Sequence, residues 1–162
     1  MKAYTFIHSY IYGIQVGIQA GHSNIEIMRN LDPGNHARDK AIADWADFHK
    51  TFAWLDGGDS DTLNDAINVL QLSGAPYAFF NEPALKSPGS DVGVVTAATV
   101  ILTEEEVQAA DDIRRYRLVR TESEVDSTTW FESESGSIGT SPMTRQRASL
   151  VELVANSRIK GI

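Results

Sequence analysis

Short apolar runs rich in β-forming residues alternate along this chain with stretches whose apolar residues recur at helical spacing, and few architectures accept that alternation. Met1 to Ile7 reads as a first strand, and Tyr4 to Tyr10 is apolar and rich in β-forming residues. After Gly13, the apolar residues Ile14, Ile18, Ile25 and Met28 fit a helix. Gly17 and Gly21 sit one turn apart on it, and tolerated at a cost of about 1 kcal/mol each they imply close approach to a neighbouring backbone. Asp32-Pro33-Gly34-Asn35 is a turn, and Ala37, Ala41, Trp45 and Phe48 mark a second amphipathic helix from His36 to Lys50.

Thr51 to Leu55 reads as a strand ended by Asp56-Gly57-Gly58. Asp59-Ser60-Asp61-Thr62-Leu63 then opens a helix that buries Leu63, Ala66, Ile67 and Leu70 and closes at Ser73-Gly74. Tyr77 to Phe80 is a buried strand, followed by a loop containing Pro83, Pro88 and Gly89 and a further strand within Val92 to Leu102. The order to this point is βααβαββ. Thr103-Glu104-Glu105-Glu106 is a capping signature for a helix reaching about Tyr116.

We place one α/β domain at residues 1–120, a polar linker or flap at 121–141 and a C-terminal helix at 142–162. In the flap only Val125, Trp130, Phe131 and Ile138 are apolar anchors, and Trp130-Phe131 asks for a partner inside or outside the chain. Ala148, Leu150, Val151, Leu153, Val154 and Ile159 give the last helix an apolar face, which must be buried either on its own domain or against a homo-oligomer or protein partner.

Composition narrows function. With 162 residues, 42% of them hydrophobic, the chain has material for one core. It has no Cys, which excludes disulfides and thiolate metal sites and suits a cytoplasmic setting. No segment approaches the roughly 20 apolar residues that span a bilayer, so no membrane association is expected. The net charge is −8, and residues 1–120 alone hold sixteen acids against ten bases. Basic residues cluster only around Arg114-Arg115-Tyr116-Arg117 and Arg120, which disfavours extensive contact with tRNA.

No Walker-type loop, G-x-G-x-x-G or G-x-S-x-G element is present. His8, His36 and His49 lack metal-ligand spacing, while Asp39, Asp44 and Asp47 look like a solvated helix face. Neither a metal nor a cofactor is expected.

The pieces Gly17-Ile18-Gln19-Ala20-Gly21-His22, Asp59 to Leu63, Ser73-Gly74-Ala75-Pro76 and Pro88-Gly89-Ser90, in that order and spacing, resemble the type II peptidyl-tRNA hydrolases over roughly residues 3 to 118. That family has a first helix with a G-K-I-A-A-Q-C-S-H-A type motif and a G-L-P strand leading to a D-A-G-x-T segment. The resemblance implies a four-stranded mixed sheet flanked by helices, and cleavage of the ester between peptide and tRNA. It also implies a site where the start of the first helix meets the loop after Phe80.

Carried over by position, Gln19 and His22 fall on the family's Gln and His, and Gln15 falls where a Lys is expected. Glu82 falls on the family's Asp, Pro83-Ala84 replaces Ala-Gly, and Lys86 replaces Thr. Ester hydrolysis needs a base for water and a donor for the oxyanion. Glu82, Gln15, Gln19 and His22 are the candidate catalytic residues, with Lys86, Asn81 and Thr96 as candidate ligand contacts. Two readings stay open: a divergent hydrolase of peptidyl-tRNA or a related ester, and a non-catalytic binding protein that keeps the fold and oligomerises through its extension.

Overall fold

The computed structural model describes all residues except 33, 87, 88, 90, 161 and 162. Among the described residues the chain forms a mixed α/β structure with two sheets. The larger sheet has four strands: β1 (Lys2–Ile7), β2 (Phe52–Asp56), β3 (Tyr77–Lys86) and β4 (Gly93–Leu102). Their order is β2-β1-β4-β3, with β1 parallel to β2 and the other pairs antiparallel. A smaller sheet joins β5 (Val119–Glu122), β6 (Thr128–Glu132) and β7 (Met143–Thr144).

Because side chains alternate along a strand, the large sheet offers two faces to its helices. One face carries α3 (Ser60–Ser73), α4 (Glu104–Tyr116) and α5 (Arg145–Asn156) over Tyr4, Phe6, Val100 and Leu102. The other carries α1 (Ile14–Arg29), α2 (His36–Asp44) and a π-helical turn at Trp45–His49, over Ala3, Ile7, Ala97 and Ile101.

Local signals place several elements as expected. Thr103 and Glu106 form a reciprocal capping box at the start of α4. Asp59 accepts the Thr62 N–H to cap α3, which buries Leu63, Ala66 and Leu70. In α1, however, the buried residues are Val16, Gln19, Ala20, Ser23 and Ile27, while Ile14, Ile18, Ile25 and Met28 face solvent. The helix is present and its orientation is reversed.

Among the described residues, a side chain added at either of its two interior glycines would meet no neighbouring backbone within 4 Å. A Cβ at Gly21 would meet nothing within 4 Å, and one at Gly17 only the Trp54 ring at 3.7 Å. In the second helical segment Ile42 and Trp45 are buried, and the π-helical turn swings Phe48 outward.

Residues 81–86, expected as a loop, continue β3 with register shifts after Phe80 and after Glu82. Gly93 allows this pairing: a Cβ there would lie 2.5 Å from the Glu82 carbonyl oxygen. The expected Pro88-Gly89-Ser90 loop and the turn at Pro33 fall largely outside the described residues.

Within the expected linker at 121–141, β5 and β6 pair with each other, and Phe131 is buried in the main core. The apolar face of α5, expected to pack on its own domain or on another subunit, is covered inside the chain, with Leu150, Val151 and Val154 fully buried. Beyond α5, the Asp56 N–H donates to the Arg158 carbonyl and the Lys160 N–H to the Trp54 carbonyl, both at 2.9 Å, which covers the outer edge of β2. Among the described residues no helix is long and apolar enough to cross a membrane.

Candidate functional site

The turn between β1 and α1 ends at Gly13, whose φ of 60° suits glycine and steers Gln15 and Gln19 toward β3. Those two residues lie one helical turn apart and share a face. Gln15 is exposed, whereas Gln19 is only 4% exposed. A buried carboxamide needs partners for both ends, and Gln19 has them. Its Oε1 accepts from the Thr96 hydroxyl at 2.5 Å on β4, and its Nε2 donates to Glu82 Oε2 at 3.0 Å on β3.

Glu82 is positioned from its other oxygen as well, since Oε1 accepts the Ala84 N–H at 3.1 Å. The Gln19 amide first, and then the Ala84 N–H, hold its carboxyl below the usual carboxylate range; His22 adds a weaker pull in the same direction. Glu82 is therefore ionised at neutral pH. Each of its oxygens keeps a lone-pair direction not used by these two bonds.

Above this carboxylate lies a pocket of about 390 Å³ lined by Gln15, Gln19 and Glu82 with Tyr10, Tyr12 and Leu85 as part of its wall. The Tyr10 phenol is pushed up by burial and by Glu82, so it stays protonated and keeps its hydrogen. Its walls are mainly apolar and its polar groups converge on one side, a pattern suited to a small ligand or one end of a larger one. Among the described residues no Lys or Arg lines it.

The other candidates are distributed around this pocket. Thr96 is fully buried and supports Gln19 from behind. His22 packs on Phe80, ring centroids 4.4 Å apart, outside the pocket lining. Among the described residues its Nδ1 has no hydrogen-bond partner. Asn81 is exposed and not in the lining. Lys86 also stands outside, its ammonium 3.3 Å from Asp91. No group of three or more His, Asp or Glu positioned to hold a metal occurs among the described residues.

Tyr10, Tyr12 and Leu85 were not legible as pocket residues from periodicity. The available signal was the Tyr10-Ile11-Tyr12 run just before a glycine, a place where apolar side chains have no strand or helix to bury them. A larger hollow of about 620 Å³ lies between the start of α4 and residues 139–143. Its Glu106 and Arg147 are already paired with each other, and Glu106 also closes the α4 cap, so that pair serves the fold.

The chain matches no family model and no curated protein.

Proposed function

We propose that this protein is a divergent relative of the type II peptidyl-tRNA hydrolases that takes the acyl end of such an ester, or of a related one, into the pocket beside α1 and hydrolyses it with Glu82. The observation that carries this reading is the chain of hydrogen bonds Thr96 to Gln19 to Glu82 at the pocket wall. It brings together, from three elements, residues that correspond to the family's Gln and acid. The four-stranded mixed sheet with helices on both faces agrees with the architecture that the resemblance implies.

In this reading Glu82 accepts a proton from a water as the water oxygen attacks the ester carbonyl. The carbonyl π electrons move onto oxygen, and the Gln15 amide on the pocket wall is the neutral donor assigned to receive that charge. Collapse then breaks the acyl–oxygen bond, and the proton held by Glu82 passes to the departing alkoxide. A neutral amide in place of an ammonium costs transition-state stabilisation; loss of one oxyanion donor lowers kcat by about 10²–10³ in other hydrolases. Turnover is expected to be slow.

The second reading, a binding protein without catalysis, draws on one observation: among the described residues no cation lines the pocket, Lys86 being engaged with Asp91 outside it. Single-turnover release of peptide from peptidyl-tRNA separates the two. Wild type is expected to release peptide, and Glu82→Gln to lose about 10²-fold or more of that rate. Wild type no faster than buffer ends the hydrolase reading.

A further inference from the structure

Helix α1 turns Val16, Gln19, Ala20, Ser23 and Ile27 to the sheet and its other large apolar residues to solvent. Ile14 is 78% exposed, Ile25 54%, Met28 48% and Ile18 40%. At about 100° per residue these four fall within roughly 80° of arc, with Gly21 at the centre. Tyr12 and Leu31, also exposed, extend the seam at its two ends. Scattered apolar side chains on a surface are ordinary; a seam along four turns of one helix marks an interaction face.

Charge narrows what covers it. From Ala3 to Ile25 the sequence has no Asp, Glu, Lys or Arg, in a chain that holds 22 acids and 14 bases. Two copies of a molecule with net charge −8 repel where their charged surfaces meet, and this seam is where they approach without opposing acids. A basic partner would find no acidic complement along it.

Symmetry narrows it further. Reversed about Gly21, the seam maps onto itself, Ile14 falling on Met28 and Ile18 beside Ile25. An isologous two-fold contact requires such self-complementarity. Gly21 lies on the axis, and among the described residues no atom lies within 4 Å of where its missing side chain would start. The glycine weakens the helix, and a second backbone crossing there would take advantage of it.

We propose that α1 is the interface of a homodimer in which two copies of the helix cross antiparallel at Gly21. Ile14 of each copy then meets Met28 of the other, and Tyr12, on the pocket wall, lies near the far end of the second helix. The face covered by the second copy is α1, not the C-terminal helix.

The absence of native Cys makes single-cysteine variants clean reporters. Gly21→Cys is expected to form a disulfide-linked dimer on mild oxidation about tenfold or more faster than Val125→Cys, a fully exposed control far from the seam in sequence. An equimolar mixture of Ile14→Cys and Met28→Cys is expected to cross-link faster than either alone. Light scattering on wild type at about 100 µM is expected to give twice the chain mass, and Ile18→Glu, with an unchanged circular dichroism spectrum, the single mass. A wild type of single mass, or Gly21→Cys no faster than Val125→Cys, overturns the proposal. Ile14→Cys coupling to itself faster than to Met28→Cys overturns the antiparallel crossing.

Discussion

On the side of the sheet that carries α3, α4 and α5, β1 and β4 point Tyr4, Phe6, Val100 and Leu102 into a core closed by Leu63, Leu70, Leu150 and Val154. On the α1 side, the alternate residues of the same strands include Ala3, Thr5, Ala97 and Thr99, met by Val16, Gln19, Ala20 and Ser23. Large side chains keep their helices at full distance and fill the space with dispersion contacts. On the α1 side, hydroxyl side chains also join the interior by hydrogen bonds. The Thr99 hydroxyl accepts from Ser23 and shares a bond with Thr5, each at 2.8 Å. One face is closed by volume and the other by apolar contacts, Val16, Ile27 and Ile101 among them, together with polar pairing, and the pocket with Glu82 belongs to the second. A site that must hold an oriented carboxylate gains from a wall of hydrogen bonds, since each bond fixes a direction as well as a distance.

The largest effect that tests this contrast is Leu150→Ala. Leu150 is fully buried against the α3 side, so its loss is expected to lower stability by about 2–5 kcal/mol, measured by urea unfolding. A smaller value would mean that this core collapses around the gap and is not closed by volume. Thr99→Val is next. It keeps the shape but strands the buried Thr5 hydroxyl and removes the acceptor at 2.8 Å from Ser23, at an expected cost of about 1–3 kcal/mol. The double variant Thr5→Val, Thr99→Val sharpens the point: with two partners replaced by apolar isosteres, part of that cost is expected to return. A double variant as unstable as the sum of the two singles would show that the polar pair is not what closes this face.

Gly17→Ala is expected to act in the opposite direction. The added Cβ would rest at an ordinary 3.7 Å from the Trp54 ring, so the gain in helix propensity, about 0.5–1 kcal/mol, is not offset by a clash. A loss of stability would mean that α1 packs more tightly on β2 than the contact distance implies.

These contrasts also explain what a reader of the sequence can and cannot see. Elements specified by local chemistry were legible: the Thr103–Glu106 box, the Asp59 cap and the Leu63, Ala66, Leu70 face are each written within a few residues. The buried face of α1 was not, because Ile14, Ile18, Ile25 and Met28 outweigh Gln19, Ala20 and Ser23 on any scale of hydrophobicity. Burying Gln19 is favourable only because Thr96 and Glu82, 77 and 63 residues away, satisfy its amide. That information is absent from a helical period. The continuation of β3 through Glu82 was hidden for a similar reason: Pro83 argues against a strand, and only the bulged pairing against Gly93 and Val94 accommodates it. The small sheet escaped notice because its strands lie in a polar segment where Phe131 supplies the main burial.

The smallest expected effect separates the two sides by pH. At the end of β1, His8 is buried, its Nδ1 accepts the Tyr10 N–H at 3.4 Å and its Nε2 lies 3.0 Å from the Ser60 hydroxyl. Burial holds its pKa below the ordinary 6.5; Asp59 and Asp56 oppose this and Lys160 adds to it. Since the unfolded chain takes up this proton first, stability falls as pH drops from 6.5 toward the folded value, and then levels off. Glu82 behaves differently. Its carboxyl is held below 4.5, so its contribution is complete above that value and disappears only as pH falls through the lower, folded one. Urea midpoints of wild type, His8→Gln and Glu82→Gln across this range test both signs. His8→Gln is expected to flatten the decline that begins near 6.5, and Glu82→Gln the decline below 4.5. If His8→Gln leaves the upper slope unchanged, the imidazole is not held neutral by the packing at the end of β1, and the two sides of the sheet do not differ in their response to acid.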